Sequence, residues 1–342
     1  MAGQGSGVES IRKSEIIKTA VMAEKRKLRG FAKYAWFALA FNVLVILWGV
    51  FLRASRSGDG CGQFWLTCNG ELIPSAPELK TVIEFSHRIS TAVDGLIMLI
   101  LLLWAVIAFA RVRTRHRKLL LYLSGASVFF VITEALVGAG LVLTGNTAEA
   151  LTAERPFWAM GHLINTFILL TFLSLSAWFA STGRSPRWVR SELKATVLLS
   201  LAVIGILFVG LSGSLAALSN MLFPSETLAG GLAKDLSVTS HALLRLRLSH
   251  PILSIVTGVY VMFVAGWLKG QAIGDERTAW WSNVLQMLIV IQIVFGAATL
   301  LTLGPIVMQL GHLFLADAVW IAFVLMAAAY FSEFRRSDSL PE

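Results

Sequence analysis

The residues most able to do chemistry in this chain are four histidines at matching places in its two halves. They are His87, His162, His250 and His312, and each stands near one end of a long apolar segment. A histidine inside a membrane span is costly and usually has a function. Neutral imidazole is a preferred ligand of iron, so two histidine pairs on one side of a membrane indicate axial ligands for haem iron. Zinc or a di-iron centre fits less well, because few carboxylates lie near these residues.

The composition places these histidines in a membrane. The chain has 342 residues, a mean hydropathy of +0.73 and only 14% charged residues, which is too apolar for a soluble domain. A span needs about 20 mostly apolar residues. We therefore predict an all-α integral membrane protein with eight transmembrane helices, and its first apolar run is predicted to be a retained span because no small-residue cleavage site follows it. The predicted spans are roughly residues 34–52, 82–110, 119–144, 157–180, 194–218, 240–268, 279–303 and 306–331.

The eight spans repeat as two sets of four. Three matches occur in the same order in both halves: Ser86-His87 with Gly95 and Ser249-His250 with Gly258, VGAGLVLTG at 137–145 and FGAATLLTLG at 295–304, and Gly161-His162 and Gly311-His312. Four spans is an even number, so both halves have the same orientation and a pseudo-two-fold axis along the membrane normal is expected. Pairing the second span with the fourth in each half predicts two sites, His87 with His162 and His250 with His312.

Basic residues crowd into one set of connections. They lie in the N-terminal segment, in loops 111–118 and 184–194, at Lys269 and Arg277, and in the C-terminal tail, and the net charge is +9. The positive-inside rule puts these connections and both termini in the cytoplasm of a multi-pass protein of the plasma membrane. The positive charge is thus a topology signal and does not indicate nucleic acid.

The repeat and the charge pattern predict a division of the chain. It comprises a cytoplasmic basic segment (1–33), an N-terminal four-helix half (34–180), a cytoplasmic linker (181–193), a C-terminal four-helix half (194–331) and a cytoplasmic tail (332–342).

Both cysteines lie in the predicted outer loop, residues 53–80. Cys61 and Cys68 enclose six residues on the side of the membrane where disulfides persist. A structural disulfide and a redox-active pair are both compatible with this spacing. A metal site is disfavoured, since the loop offers no histidine and no further cysteine.

Charged residues next to the histidines are candidates for acid–base chemistry and for binding haem propionates. Glu84 shares a helix face with His87, which favours a catalytic carboxylate over an interfacial one. The matching residue of the second half is Arg247, which cannot act as a base. This difference predicts one reactive site and one redox or structural site. Arg88, Arg245 and Arg247 are expected either to bind propionates or to extend to the membrane surface.

Other polar residues of the spans receive no defined role. We expect Asp94, Glu134 and Asp317 to face the interior, His116 to be solvated in the basic loop 111–118, and His241 to be interfacial.

The segment GDGCGQFWLTCNGELIP followed by IEFSHR resembles haem A synthase of the bacterial type with an outer-loop cysteine pair. The resemblance covers about residues 34–331. Its ordered motifs are E-x-x-H-R at 84–88, Gly-His at His162, Ser-His at His250, Gly-His at His312, and Cys61 with Cys68. Leu66 departs from the family, in which proline often follows the tryptophan, and residues 1–33 have no counterpart in the pattern.

The resemblance implies an eight-helix enzyme of two four-helix halves. Such an enzyme oxidises the C8 methyl group of haem O to a formyl group, giving haem A for cytochrome oxidase. By resemblance, haem b is the cofactor and is held by His250 and His312, while His87, His162 and Arg88 bind the substrate haem O and Glu84 is the essential glutamate. The implied partners are haem O synthase and an electron acceptor.

Two other functions remain open at the level of sequence. A di-haem cytochrome b would also need four histidines, but it would not need a glutamate in only one half. A haem transporter would need a binding path and no essential carboxylate. The electron acceptor, the oxygen source and the number of copies in a homo-oligomer are not encoded in any recognisable pattern.

Overall fold

Eight long apolar helices form the body of the protein. The structure is a computed structural model, and it describes residues 28–186, 192–272 and 275–333. Within these ranges the helices are α1 (Arg29–Ala54), α2 (Leu79–Arg111), α3 (Arg115–Leu143), α4 (Arg155–Thr182), α5 (Leu193–Leu222), α6 (Leu228–Leu236), α7 (Ala242–Arg247), α8 (Ser249–Gln271), α9 (Glu276–Leu301) and α10 (Ile306–Tyr330). All but the short α6 and α7 are long and apolar enough to cross a membrane, with α7 and α8 together forming the sixth span. The predicted all-α, eight-span membrane protein is confirmed.

Local sequence signals set several helix ends. The hydroxyl of Thr114 accepts the N–H of Arg117 at 3.2 Å and caps the start of α3. Pro156 occupies the first turn of α4, where its missing N–H is not needed. The same helix ends at Gly183, whose φ of 65° is the left-handed conformation that glycine adopts without strain. The signal at Pro156 fixes where α4 begins and therefore how far His162 lies from the loop before it.

Consecutive spans pack on each other in both halves, and in the first half α1 also packs on α4. In the first half α1 packs on α2, α2 on α3, and α3 on α4; in the second half α5 packs on α8, α8 on α9, and α9 on α10. The halves meet where α4 contacts α5 and α10. At this junction the indole of Trp320 stacks on Phe167 with ring centroids 4.8 Å apart and donates to the Phe167 carbonyl at 2.8 Å. The packing of consecutive spans agrees with two pseudo-symmetric bundles, but among the described residues the packing of α1 on α4 is not matched by α5 on α10, and the symmetry itself stays a prediction.

The structure departs from the predicted boundaries in the second half. Helix α5 continues to Leu222, and the segment predicted as a loop contains the short helix α6. The sixth span is broken at Leu248 into α7 and α8, directly before His250. At this break Arg247, the last residue of α7, contacts Asp235 and Gly231 of α6, and hydropathy alone does not reveal these polar contacts.

The predicted cytoplasmic segments are only partly described. Thr182 belongs to α4, Ser185–Pro186 (β1) pairs antiparallel with Ser332–Glu333 (β2), and this pair joins the ends of the two halves. The predictions for residues 1–27, for 187–191 within the linker and for 334–342 of the tail lie outside the described residues. His116 was expected to be solvated and is instead buried in the first turn of α3, where helix packing covers it.

Candidate functional site

The four histidines lie at a common depth. Helices α2, α4, α7–α8 and α10 all start at the face that carries the loop with Cys61 and Cys68, which we call the disulfide face. The histidines follow the starts of these spans by eight, seven, eight and six residues, which at 1.5 Å per residue is about 9–12 Å. The shared depth inferred from the sequence therefore agrees with the helix starts.

His250 and His312 face each other across a gap that suits a metal ion. Their ring centroids are 6.2 Å apart and their planes are nearly perpendicular, at 85°. An imidazole nitrogen binds a first-row metal at about 2 Å, and the ring centre lies about 1 Å further away. Two rings on opposite sides of one iron would therefore have centroids about 6 Å apart. The predicted pairing of these two residues has the spacing that axial haem ligation requires.

The surroundings of His250 leave one ring nitrogen available. Nδ1 of His250 lies 3.2 Å from the carbonyl oxygen of Val209 and 3.2 Å from the hydroxyl of Ser212. The Ser212 hydroxyl donates its one hydrogen to the same carbonyl. A hydrogen bond between Nδ1 and either of these oxygens therefore requires Nδ1 to carry the hydrogen. Nε2 then has a free lone pair, which is the form that binds a metal.

Glycines make room for three of the four imidazoles. A Cβ atom on Gly213 would lie 2.8 Å from Cε1 of His250, and one on Gly296 would lie 2.8 Å from Cε1 of His312. A Cβ on Gly49 would lie 3.0 Å from Cε1 of His87. Gly49 and Gly213 hold similar places on α1 and α5. This fourth element of the repeat was not predicted, although the two glycines lie at nearly equal distances before His87 and His250 in the sequence.

The first pair has different surroundings from the second. Nδ1 of His162 lies 3.0 Å from Oε1 of Glu134 on α3. Glu134 also accepts hydrogen bonds from the Asn165 amide and the Thr166 hydroxyl of α4. The first half thus has an intramembrane carboxylate beside Nδ1 of His162. Glu134 was expected to face the interior, with no defined role.

Glu84 connects helix α2 to the disulfide loop. Its Oε2 accepts the backbone N–H of Cys61 at 2.8 Å, and its Oε1 accepts from Nη2 of Arg88 at 2.5 Å. The side chain is almost fully buried. Cys61 and Cys68 form a disulfide, which closes the residues between them into a ring next to this carboxylate. Placement near His87 was expected from the sequence, whereas the contact with the loop backbone was not.

The predicted propionate-binding arginines have other partners in the structure. Nη1 of Arg88 donates to the carbonyl oxygens of Phe64, Trp65 and Thr67, at 2.6, 3.0 and 2.9 Å. Arg247 forms a two-point contact with Asp235, with Nε to Oδ2 at 3.0 Å and Nη2 to Oδ1 at 2.6 Å. These two side chains stabilise the loop segments at the disulfide face.

The structure also gives the positions of the other polar residues that were named from the sequence. Arg245 is exposed, Asp94 and Asp317 are buried as expected, and Oδ2 of Asp94 accepts from the Asn42 amide at 2.7 Å. His241 caps α7 by accepting the N–H of Leu243 at 3.2 Å.

Comparison with known proteins assigns the family. The family described as cytochrome oxidase assembly protein matches residues 32–324. A Thermus thermophilus protein named protoheme IX farnesyltransferase is 41% identical over 298 residues, which are 87% of this chain and 48% of that protein. The haem A synthase of Alkalihalophilus pseudofirmus is 35% identical over 132 residues, 39% of this chain and 42% of the relative. That of Lysinibacillus sphaericus is 41% identical over 113 residues, 32% of this chain and 35% of the relative.

The chain spans about half the length of the curated relatives it matches. The matching family model covers most of the chain, from the first span into the last, including all four histidines and both cysteines. The protein is thus a multi-pass membrane protein that belongs to the cytochrome oxidase assembly protein family.

Proposed function

We propose that this protein is a haem A synthase, which oxidises the C8 methyl group of haem O to a formyl group. The observation that carries the proposal is the presence of two histidine pairs at one depth with different surroundings. One pair has a glutamate at Nδ1 of His162 and a second glutamate, Glu84, one turn before His87. In the other pair, the ring centroids of His250 and His312 lie 6.2 Å apart. Haem A synthases among the relatives support the same reaction.

The second half is the proposed site of haem b. His250 and His312 would hold its iron, since their separation suits two axial ligands and a hydrogen on Nδ1 of His250, donated to the Val209 carbonyl, would leave the lone pair of Nε2 for the metal. Gly213 and Gly296 keep the space behind the two rings free of side-chain atoms. When bound, haem b would supply one-electron transfer.

The first half is the proposed site of haem O, the substrate. His87 and His162 would bind its iron, which fixes the position of the methyl group to be oxidised. The conversion proceeds in two oxidations, from methyl to alcohol and from alcohol to aldehyde hydrate, which loses water. With water as the oxygen donor, each oxidation takes up one water molecule and releases two protons and two electrons. The proposed role of Glu84 is to take up a proton or to orient water at the reacting edge.

The proposal also names partners and a location. Haem O synthase must supply the substrate, and the T. thermophilus relative named protoheme IX farnesyltransferase supports a link between the two activities. An electron acceptor must take the electrons that the oxidations release. The protein is proposed to lie in the plasma membrane with both termini in the cytoplasm, because basic residues flank that side.

The test is pigment analysis of cells that make this protein together with a haem O synthase. Haems are extracted and separated by chromatography, and cells with the haem O synthase alone are the control. We expect haem A only when both proteins are present. Haems B and O without haem A, in cells whose membranes contain the protein, would contradict the proposal and favour a di-haem cytochrome b or a haem transporter.

A further inference from the structure

We propose that Glu134 is the positioning residue of His162 and that it distinguishes the two haem sites chemically. This inference rests on the proposed function, because it takes His162 as a ligand to the iron of haem O. It concerns a side chain of α3 that is not one of the four histidines or the glutamate of the recognised motifs. The geometry that carries it is the 3.0 Å separation between Oε1 of Glu134 and Nδ1 of His162.

The carboxylate of Glu134 is held in place from several directions. The Asn165 amide and the Thr166 hydroxyl both donate to it. Asn165 is itself fixed, because Thr133 donates to its Oδ1 at 2.7 Å and its Nδ2 donates to the carbonyl of Phe130 at 2.9 Å. Helices α3 and α4 therefore share one polar network inside the membrane. A carboxylate in such a network keeps its position when the imidazole beside it binds a metal.

A carboxylate at Nδ1 determines how the imidazole binds iron. It places the hydrogen on Nδ1, which leaves the lone pair of Nε2 for the metal. It also fixes the ring orientation and makes the imidazole a stronger electron donor. A negative charge behind the ligand favours ferric iron over ferrous iron, so it lowers the midpoint potential of the haem.

The second half lacks this arrangement. The repeat aligns Glu134 with Gln292 on α9, because VGAGLVLTG at 137–145 and FGAATLLTLG at 295–304 are separated by 158 positions at their starts. Gln292 is a neutral amide. Within the described ranges, no histidine of the second half is paired with a carboxylate as His162 is, and Nδ1 of His250 lies 3.2 Å from a backbone carbonyl oxygen. The substrate site therefore has the only histidine of the four, among the described residues, whose Nδ1 meets a carboxylate.

The experiment is a redox titration of the full-length protein purified with its haems, followed by visible spectroscopy. Variant Glu134→Gln keeps an acceptor near Nδ1 but removes the charge. We expect the midpoint potential of the first-half haem to rise by about 59 mV for each tenfold of ferric preference that is lost. Binding of that haem should weaken about 10–100-fold, as for other residues that support metal ligands. The haem b potential should not change.

Two further variants keep the test decisive. Asp94→Asn removes a buried charge from α2 instead and is the matched control, so equal shifts in Asp94→Asn and Glu134→Gln would overturn the inference. Should Glu134→Gln not accumulate in membranes, Glu134→Asp takes its place, because a shorter carboxylate must draw back from Nδ1 and raise the potential in part. An unchanged potential in a variant that still holds both haems overturns the role of Glu134 but leaves the proposed function standing. If His162→Ala removes no haem from the parent, both proposals fail.

Discussion

Glu84 and Cys61 are joined by a hydrogen bond from the Cys61 N–H to Oε2 of Glu84, at 2.8 Å. This contact attaches the disulfide loop to helix α2 one turn before His87. Arg88, four residues after Glu84, completes the attachment by donating to three loop carbonyls. The proposed proton acceptor and the disulfide therefore belong to one structural unit, and a change in either one acts on both.

Replacing Glu84 with glutamine tests its role as a proton acceptor. Glutamine keeps the size of the side chain and cannot accept a proton at neutral pH. We expect haem A formation to fall by about 10²–10⁴-fold, as for other acid–base groups, while haem b stays bound. Haem O or a hydroxylated intermediate should accumulate in the pigment extract. Near-normal haem A in Glu84→Gln protein with full haem b content would remove the case for a catalytic carboxylate.

Arg88→Lys should loosen the disulfide loop. The guanidinium of Arg88 reaches Glu84 and three carbonyls at once, and a single ammonium group cannot reproduce this fork. We expect faster hydrogen exchange and faster proteolysis of residues 61–73 than in the parent. Arg245→Lys, at an exposed arginine of the same face, is the control and should leave the loop unchanged. Equal protection of the loop in both variants would show that Arg88 does not anchor it.

The cysteine pair should be oxidised in the isolated protein. Cys61 and Cys68 are bonded and buried, so alkylation without reductant should leave both unmodified, and alkylation after reduction and unfolding should label both. Mass spectrometry of the peptide that spans them distinguishes the two states. Two labelled thiols before reduction would contradict the structural disulfide.

Gly296→Ala should reduce haem b content. Its Cβ would lie 2.8 Å from Cε1 of His312, a contact too short for the ring to stay in place. Gly138→Ala is a matched control, since Gly138 holds the repeat-equivalent position and a Cβ there meets no atom within 4 Å. We expect loss of haem b in the first variant and none in the second, by spectroscopy of the purified proteins. The same haem content in both would show that the glycine does not make room for the ligand.

The sequence predicts those features that depend on order along one helix. Span number, the depth of His87 and His162, and the repeat all follow from hydropathy and spacing. Contacts that depend on how one helix rotates against another could not be predicted in this way. Glu134 reaches His162 because α3 and α4 turn these faces toward each other.

The contacts that Arg88 and Arg247 make depend on the paths of the neighbouring segments. Arg247 was expected either to bind propionates or to extend to the membrane surface, and its contact with Asp235 was not predicted because nothing in the hydropathy pattern indicated α6. Arg88 binds the disulfide loop because that loop folds back over α2. The sequence does not reveal such contacts between the end of a span and a neighbouring loop, because they depend on the path of the loop.

The most direct test of the central claim is the conversion of haem O by membranes that contain this protein, followed by mass spectrometry of the extracted haems. The proposed function predicts a new haem whose mass reflects the gain of one oxygen atom and the loss of two hydrogen atoms. His162→Ala membranes should not produce it. Unchanged haem O in membranes where the parent protein is present and carries haem b would contradict the claim that this protein makes haem A.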